Sequence, residues 1–215
     1  MSKLTYTAKT IDALFDNRVA MMAEKADTKA ENFKLMQTCR DYMKTAAFLE
    51  TARLGKVDLH VIDGSAGRKP MAVYAIKRVV DMCRFADSGF EATVTATDQT
   101  RYARDMLLSL MNSRATGKQF ARLDQRATGS KGQSRDTADG YAEGAISQGV
   151  KVSGRMMAAG TTGTQTTNTL AIFKFLNCAD DNGQRGAGFR WYAKPDSELL
   201  NAYANKMAAV IAKQA

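Results

Sequence analysis

The chain is poor in the residues that most enzyme and metal chemistry uses. Among 215 residues there is one histidine, His60, and there are three cysteines, Cys39, Cys83 and Cys178, far apart in sequence. One imidazole and three scattered thiols do not make an ordinary zinc site from a single chain. An odd, widely spaced set of cysteines also argues against a disulfide framework and for reduced thiols, each expected in an apolar helical face. Long apolar runs are missing too. Nothing approaches the roughly 18 residues of a membrane span, and the first residues lack the contiguous apolar core of a signal peptide. A soluble, cytoplasmic protein with no membrane partner is expected. The two prolines, Pro70 and Pro195, both stand where a helix could begin.

Catalytic patterns fail one by one. His60 alternates with Leu59 and Val61 as in a strand, which suits a structural role. Gly64-Ser65-Ala66-Gly67 lacks the glycine two residues before the serine that a nucleophile elbow requires. The same loop with Arg68 and Lys69 fails the phosphate-binding P-loop pattern, because Pro70 stands where Ser or Thr is needed. No paired carboxylates stand out. The expectation is a protein that is not an enzyme, with no catalytic residues, metal ligands or cofactor.

What the chain has is positive charge. Lys and Arg number 31 against 22 Asp and Glu, a net +9. By segment the balance is +3 for residues 1–57, −1 for 58–98, +5 for 99–155 and +2 for 156–215. The excess is central. Arg114 to Arg135 holds Arg114, Lys118, Arg122, Arg126, Lys131 and Arg135 against Asp124 alone, and Arg114-Ala115-Thr116-Gly117 recurs as Arg126-Ala127-Thr128-Gly129. Each copy offers a cation, a hydroxyl and a glycine backbone, the groups that hold a phosphate. A second cationic stretch, GQRGAGFRWYAKP, sets Arg185, Arg190 and Lys194 among Phe189, Trp191 and Tyr192. Rings beside arginines suit unpaired bases, and a polyanionic partner fits the overall charge.

Hydrophobic periodicity predicts an α+β, helix-dominated single domain over residues 1–215, or an intertwined oligomer of it. Residues 1–56 read as a helical hairpin: a helix over 7–25, then one capped by Thr28 and Glu31, running to Leu54 and stopped by Gly55. Residues 57–113 read as strand, helix, strand, helix, with strands at Val57–Asp63 and Phe90–Thr97. Pro70 would open the helix Met71–Phe85, and Asp98 would cap a helix burying Met106, Leu107 and Leu110. Residues 114–165 form a basic, glycine-rich stretch expected to be mobile or irregular until a partner orders it. Residues 166–215 read as a helix capped by Thr166 or Thr167, the basic aromatic hairpin, and a final helix from Pro195 and Asp196 with Leu199, Leu200, Tyr203 and Met207 inside.

The C-terminal order of helix, hairpin and helix loosely resembles a winged helix-turn-helix, which implies a duplex-binding regulator whose helix Thr167–Asn177 enters the major groove. Asn168 and Lys174 are its only base-reading side chains. RGAGFRWY is similar to the RNA-recognition-motif signature, although Gly188 and Arg190 fall out of place and the strand order differs. With its basic glycine-rich centre, methionine-rich helices and lack of catalytic groups, the whole chain resembles the small cofactors of lytic bacterial viruses that coat single-stranded DNA and bring an RNA polymerase to it. That resemblance implies a viral, homo-oligomeric protein of transcription or replication. The site residues expected to contact nucleic acid are Arg114, Lys118, Arg122, Arg126, Lys131, Arg135, Arg185, Arg190 and Trp191. A third expectation is an assembly protein whose basic loop meets an acidic protein.

Overall fold

The computed structural model describes residues 5–24, 30–90, 106–107, 109–111, 113–117, 119–121, 159–185 and 188–214. The fold is α+β and mostly helical. Helix α1 (Ala8–Glu24) is capped by Thr7, whose hydroxyl accepts from the Thr10 N–H at 3.1 Å. It buries Ile11, Leu14, Phe15 and Met22. Helix α2 (Ala30–Met43) lies against it, clasped by Arg40, which reaches Asp12 at 2.6 Å and Asp16 at 2.7 Å. The N-terminal helix pair is therefore present. Thr28, however, lies outside the described residues.

The second helix does not run on to Leu54. Thr45 interrupts it: its hydroxyl donates to the Tyr42 carbonyl and accepts from the Phe48 N–H, ending one helix and capping the next. Helix α3 (Ala46–Gly55) buries Phe48, Thr51, Ala52 and Gly55. Its stop is not made by a glycine in the left-handed position. Lys56 takes that conformation, with φ 49°, while the Val57 N–H returns to the Ala52 carbonyl. Gly55 serves close packing instead, since a Cβ there would stand 2.7 Å from the Leu176 carbonyl oxygen.

Val57–Asp63 is not a strand. Asp58 accepts the His60 N–H and starts a single 3-10 turn, Leu59–Val61, so Val57, Leu59 and Ile62 reach the core from a turn. The alternation of VDLHVID misled because a short polar side chain can replace the ladder as backbone partner. His60 Nδ1 lies 2.6 Å from Ser65 Oγ and braces the following loop. Buried Asp63 anchors it further, accepting the Ser65 N–H and the Asn17 amide. Burial pushes the Asp63 carboxyl up, yet those hydrogen bonds outweigh it, and its pKa sits below the usual carboxylate value.

Helix α4 (Val73–Asp87) begins two residues later than expected. Ala72, not Pro70, is its N-cap. It buries Val73, Ile76, Val79, Val80, Met82, Cys83, Phe85 and Ala86, and packs on α2, α3 and the helix α5 (Ala159–Phe175). Phe90 closes its C-terminal turn in the left-handed region, φ 61°, with its ring edge-to-face on Phe85 and Tyr203. Residues 91–105, which hold the rest of the expected second strand and Asp98, lie outside the described residues. Helical backbone at 106–107, 109–111 and 113–116 buries Met106, Leu107 and Leu110, as the periodicity predicts.

The last third holds the sheet. Helix α5 starts at Ala159, several residues before Thr166 and Thr167, which lie inside it. Strands β1 (Phe120–Ala121), β2 (Ala179–Asp181) and β3 (Arg190–Ala193) form an antiparallel sheet of order β1-β3-β2. Helix α6 (Glu198–Gln214) is capped by Ser197, whose hydroxyl accepts from the Leu200 N–H, and packs on α3 through an inner face that buries Leu199, Leu200, Tyr203 and Met207. Together α5, the β2–β3 hairpin and α6 form an open arrangement like a loose winged helix. Cys39, Cys83 and Cys178 are free and buried, and burial pushes the Cys39 thiol up to about 11 and the Cys178 thiol up to about 12.

Candidate nucleic-acid interface

Strand β3 is central, so its two faces have different fates. Its burial alternates, with Trp191 and Ala193 inward and Arg190 and Tyr192 half-buried on the other side. Trp191 is completely enclosed. This corrects its expected role as a stacking group. A buried tryptophan removes about 150–250 Å² from water, worth roughly 4–6 kcal/mol at ~25 cal/mol per Å². Stacking on a base returns roughly 1–3 kcal/mol. The ring therefore stays in the core, and the half-buried face of β3 carries Arg190 and Tyr192.

Asn182 shapes the loop between β2 and β3. Its side-chain oxygen accepts the Arg190 N–H at 3.0 Å and the Gln184 N–H at 3.3 Å, and its amide donates to the Gly188 carbonyl at 2.8 Å. Arg185 stands exposed in that loop, and the Arg190 guanidinium donates to the Phe189 carbonyl. Lys194, at the base of β3, donates to Asn177 Oδ1 at 2.6 Å. Neither Asn177 nor Asn182 is among the site residues expected from the sequence. The signal for Asn182 was the Asp180-Asp181-Asn182-Gly183 run, which marks a turn built on side chain-to-backbone bonds.

Strand β1 brings the central segment to this hairpin. Phe120 pairs with Trp191 and Ala121 with Arg190, and buried Ser113 accepts the Ala193 N–H at 3.2 Å. Arg114 follows Ser113 and is half-buried, with its Nη1 buried and without a hydrogen-bond partner among the described residues. Of the nine expected site residues, Arg114, Arg185, Arg190 and Trp191 are described. Lys118, Arg122, Arg126, Lys131 and Arg135 lie outside the described residues, as does most of the 114–165 stretch.

A cleft of about 280 Å³ lies beside the hairpin, lined by Lys56, Asp58, Val61, Lys174, Phe175 and Asn177. Its charges are largely matched. Lys56 meets Glu198 at 3.2 Å, and Lys174 meets Asp181 at 2.5 Å and Asp180 at 3.4 Å. Desolvation lowers the Lys174 pKa, but its bonds to the two aspartates prevail and raise it, so the ammonium is held in place. Lys174 is thus committed within the protein rather than offered to a groove. Among the described residues no cluster of three His, Cys, Asp or Glu side chains is placed to hold a metal ion. No helix among them is long and apolar enough to cross a membrane. No protein-family model, curated protein or solved structure matches the chain, so no family's chemistry carries over to it.

Proposed function

We propose that the protein binds single-stranded DNA without catalysing a reaction. The observation that carries this reading is the pairing of β1 with β3, which draws the start of the Arg114–Arg135 segment alongside Arg190. Two cationic stretches that are far apart in sequence thereby share one sheet. Lys118, Arg122, Arg126, Lys131 and Arg135 neutralise backbone phosphates, Arg185 and Arg190 add to them, and Tyr192 takes the stacking role that buried Trp191 does not. In this reading the protein acts as a homo-oligomer in the cytoplasm and presents the strand to an RNA polymerase.

Labelled oligonucleotides of random sequence, single and double stranded, test it by anisotropy at several salt concentrations. Tighter binding of the single strand, weakening as salt rises, is the expected result. Replacing Arg122 and Arg126 with alanine should lower affinity and flatten the salt dependence by up to about 1.4 in log–log slope, at ~0.7 per phosphate contact. Absence of binding at low salt refutes the reading. A second reading, a duplex-binding winged-helix regulator, is favoured by the helix–hairpin–helix order of the C-terminal segment. It requires marked preference for one duplex sequence. The face of α5 that it would use is poor in base readers, since Lys174 is held by Asp180 and Asp181.

A further inference from the structure

Residues 64–80 contain Arg68, Lys69, Lys77 and Arg78 and no acid, a local balance of +4. The −1 of the whole 58–98 segment conceals it, because the acids lie on either side. The fold turns this run outward. Residues 66–69 form an exposed loop, in which the Arg68 side chain is 58% exposed. On α4 the burial of Val73, Ile76, Val79 and Val80 leaves Tyr74 exposed on the other side, with Lys77, Arg78 and Asp81 half-buried beside it. Tyr74 is 61% exposed, the one large apolar side chain in the open among the described residues.

Two of the cations are partly occupied. Arg68 meets Asp58 at 2.5 Å, and Lys77 pairs with Asp81. Lys69 and Arg78 have no ion pair among the described residues, and Arg78 stands one helical turn beyond the Tyr74 ring. An open aromatic ring set among cations is the chemistry of an unpaired base beside its phosphates. A duplex would hide the base face that such a ring needs. Nothing about an acidic protein partner would call for the ring.

We propose that the loop 66–69 and the outer face of α4 form a second contact for single-stranded DNA, with Tyr74 stacking on a base and Arg68, Lys69 and Arg78 holding phosphates. This rests on the nucleic-acid reading above and adds to it a surface remote in sequence from the hairpin.

The test compares the wild type with Tyr74→Ala, Tyr74→Phe, the pair Arg68→Ala and Lys69→Ala, and Arg190→Ala. Each is titrated with labelled oligothymidylates of increasing length, after thermal melts show an unchanged fold. Tyr74→Ala should weaken binding between about fivefold and about 150-fold, the range for one stacked base, and Tyr74→Phe should restore it. The loop pair should flatten the salt slope by up to about 1.4. A 5-iodouracil oligonucleotide should crosslink to the peptide containing Tyr74. If the wild type binds and Arg190→Ala weakens it, while the Tyr74 and loop variants match the wild type and no crosslink forms, this contact is refuted and the general reading stands. If the wild type binds no oligonucleotide at low salt, both fall. Tighter binding of an RNA oligonucleotide of the same sequence would overturn the choice of DNA.

Discussion

Gly55→Ala sets two effects of known size against each other. Gly55 is the last residue of α3 and is buried. In an ordinary helix the change would gain up to about 1 kcal/mol from propensity. Here the new Cβ would stand 2.7 Å from the Leu176 carbonyl oxygen, with Val57 Cγ2 at 3.1 Å and Leu199 Cδ2 at 3.2 Å. Ordinary contact starts near 3.4 Å, so α3 must move about 0.7 Å from the end of α5. Neither side chain has room to turn away, because Val57 and Leu199 are each 1% exposed. The carbonyl cannot turn away either: Leu176 precedes Asn177, which closes α5 in the left-handed region at φ 58°, and the hairpin begins two residues on at Ala179. Overpacking costs about 1–3 kcal/mol, and contact with a backbone atom and two enclosed side chains puts this case in the upper part of that range, about 2–3 kcal/mol, which leaves a net loss of about 1–2 kcal/mol after the propensity gain. For a chain of this size that lowers Tm by about 2–8 °C. Urea unfolding with an unchanged m-value measures it, and Gly183→Ala serves as control. Nothing lies within 4 Å of the Cβ position at Gly183, so that variant senses backbone strain alone at φ 71°. A Gly55→Ala protein as stable as the wild type would refute the close approach of α3 to α5.

Trp191→Phe should cost about 1–3 kcal/mol of stability while leaving affinity for single-stranded DNA unchanged, and wild-type Trp191 emission should resist acrylamide until the protein unfolds. Loss of DNA affinity in a stably folded Trp191→Phe protein would return the ring to the interface. Asp63 has a folded pKa below its unfolded value, so its contribution is present above about pH 4 and is lost as pH falls through the folded pKa. Asp63→Asn should therefore lower Tm at neutral pH and flatten the fall in Tm below that range; parallel Tm–pH profiles would contradict this. Ala66 holds φ 53° in an exposed loop, and Ala66→Gly should raise stability by about 0.5–1 kcal/mol by relieving it. Equilibrium urea unfolding checks that gain.

The helical framework was legible because its signal is redundant. Ile11, Leu14, Phe15 and Met22 repeat at helical spacing and are all buried, and the same holds for Leu199, Leu200, Tyr203 and Met207. What periodicity could not show was where side chains take over backbone bonds. Thr45 breaks a continuous apolar stripe, and Asp58 converts an alternating run into a turn, each through one local hydrogen bond. Aromatic residues in the hairpin were ambiguous for a different reason. Alternation sorts Trp191 from Tyr192, but the core side of β3 is fixed by β1 and β2, whose register no local pattern reveals. Gly55 reads as a helix stop in the sequence, and only the approach of Leu176 shows why a side chain is excluded there.

Charge is distributed by the same division between structural and free groups. Arg40 and Lys44 are spent on Asp12, Asp16 and Asp41, Arg53 on Glu50, and Lys56 on Glu198. These half-exposed pairs add little stability each, but they give each of those cations an acid close by. The balances of +5 for residues 114–135 and +4 for residues 64–80 together equal the chain's +9, so the remaining residues are neutral as a set. Within the ~10 Å over which charge acts at 0.1 M salt, the proposed polyanion would therefore meet these two stretches, together with Arg185, Arg190 and Lys194 of the hairpin, rather than a uniformly basic sequence. One leads into the sheet that carries Arg190 and Tyr192, and the other surrounds Tyr74. A strand that engages both gains avidity from their linkage through one fold, and its salt dependence exceeds what either stretch supplies alone.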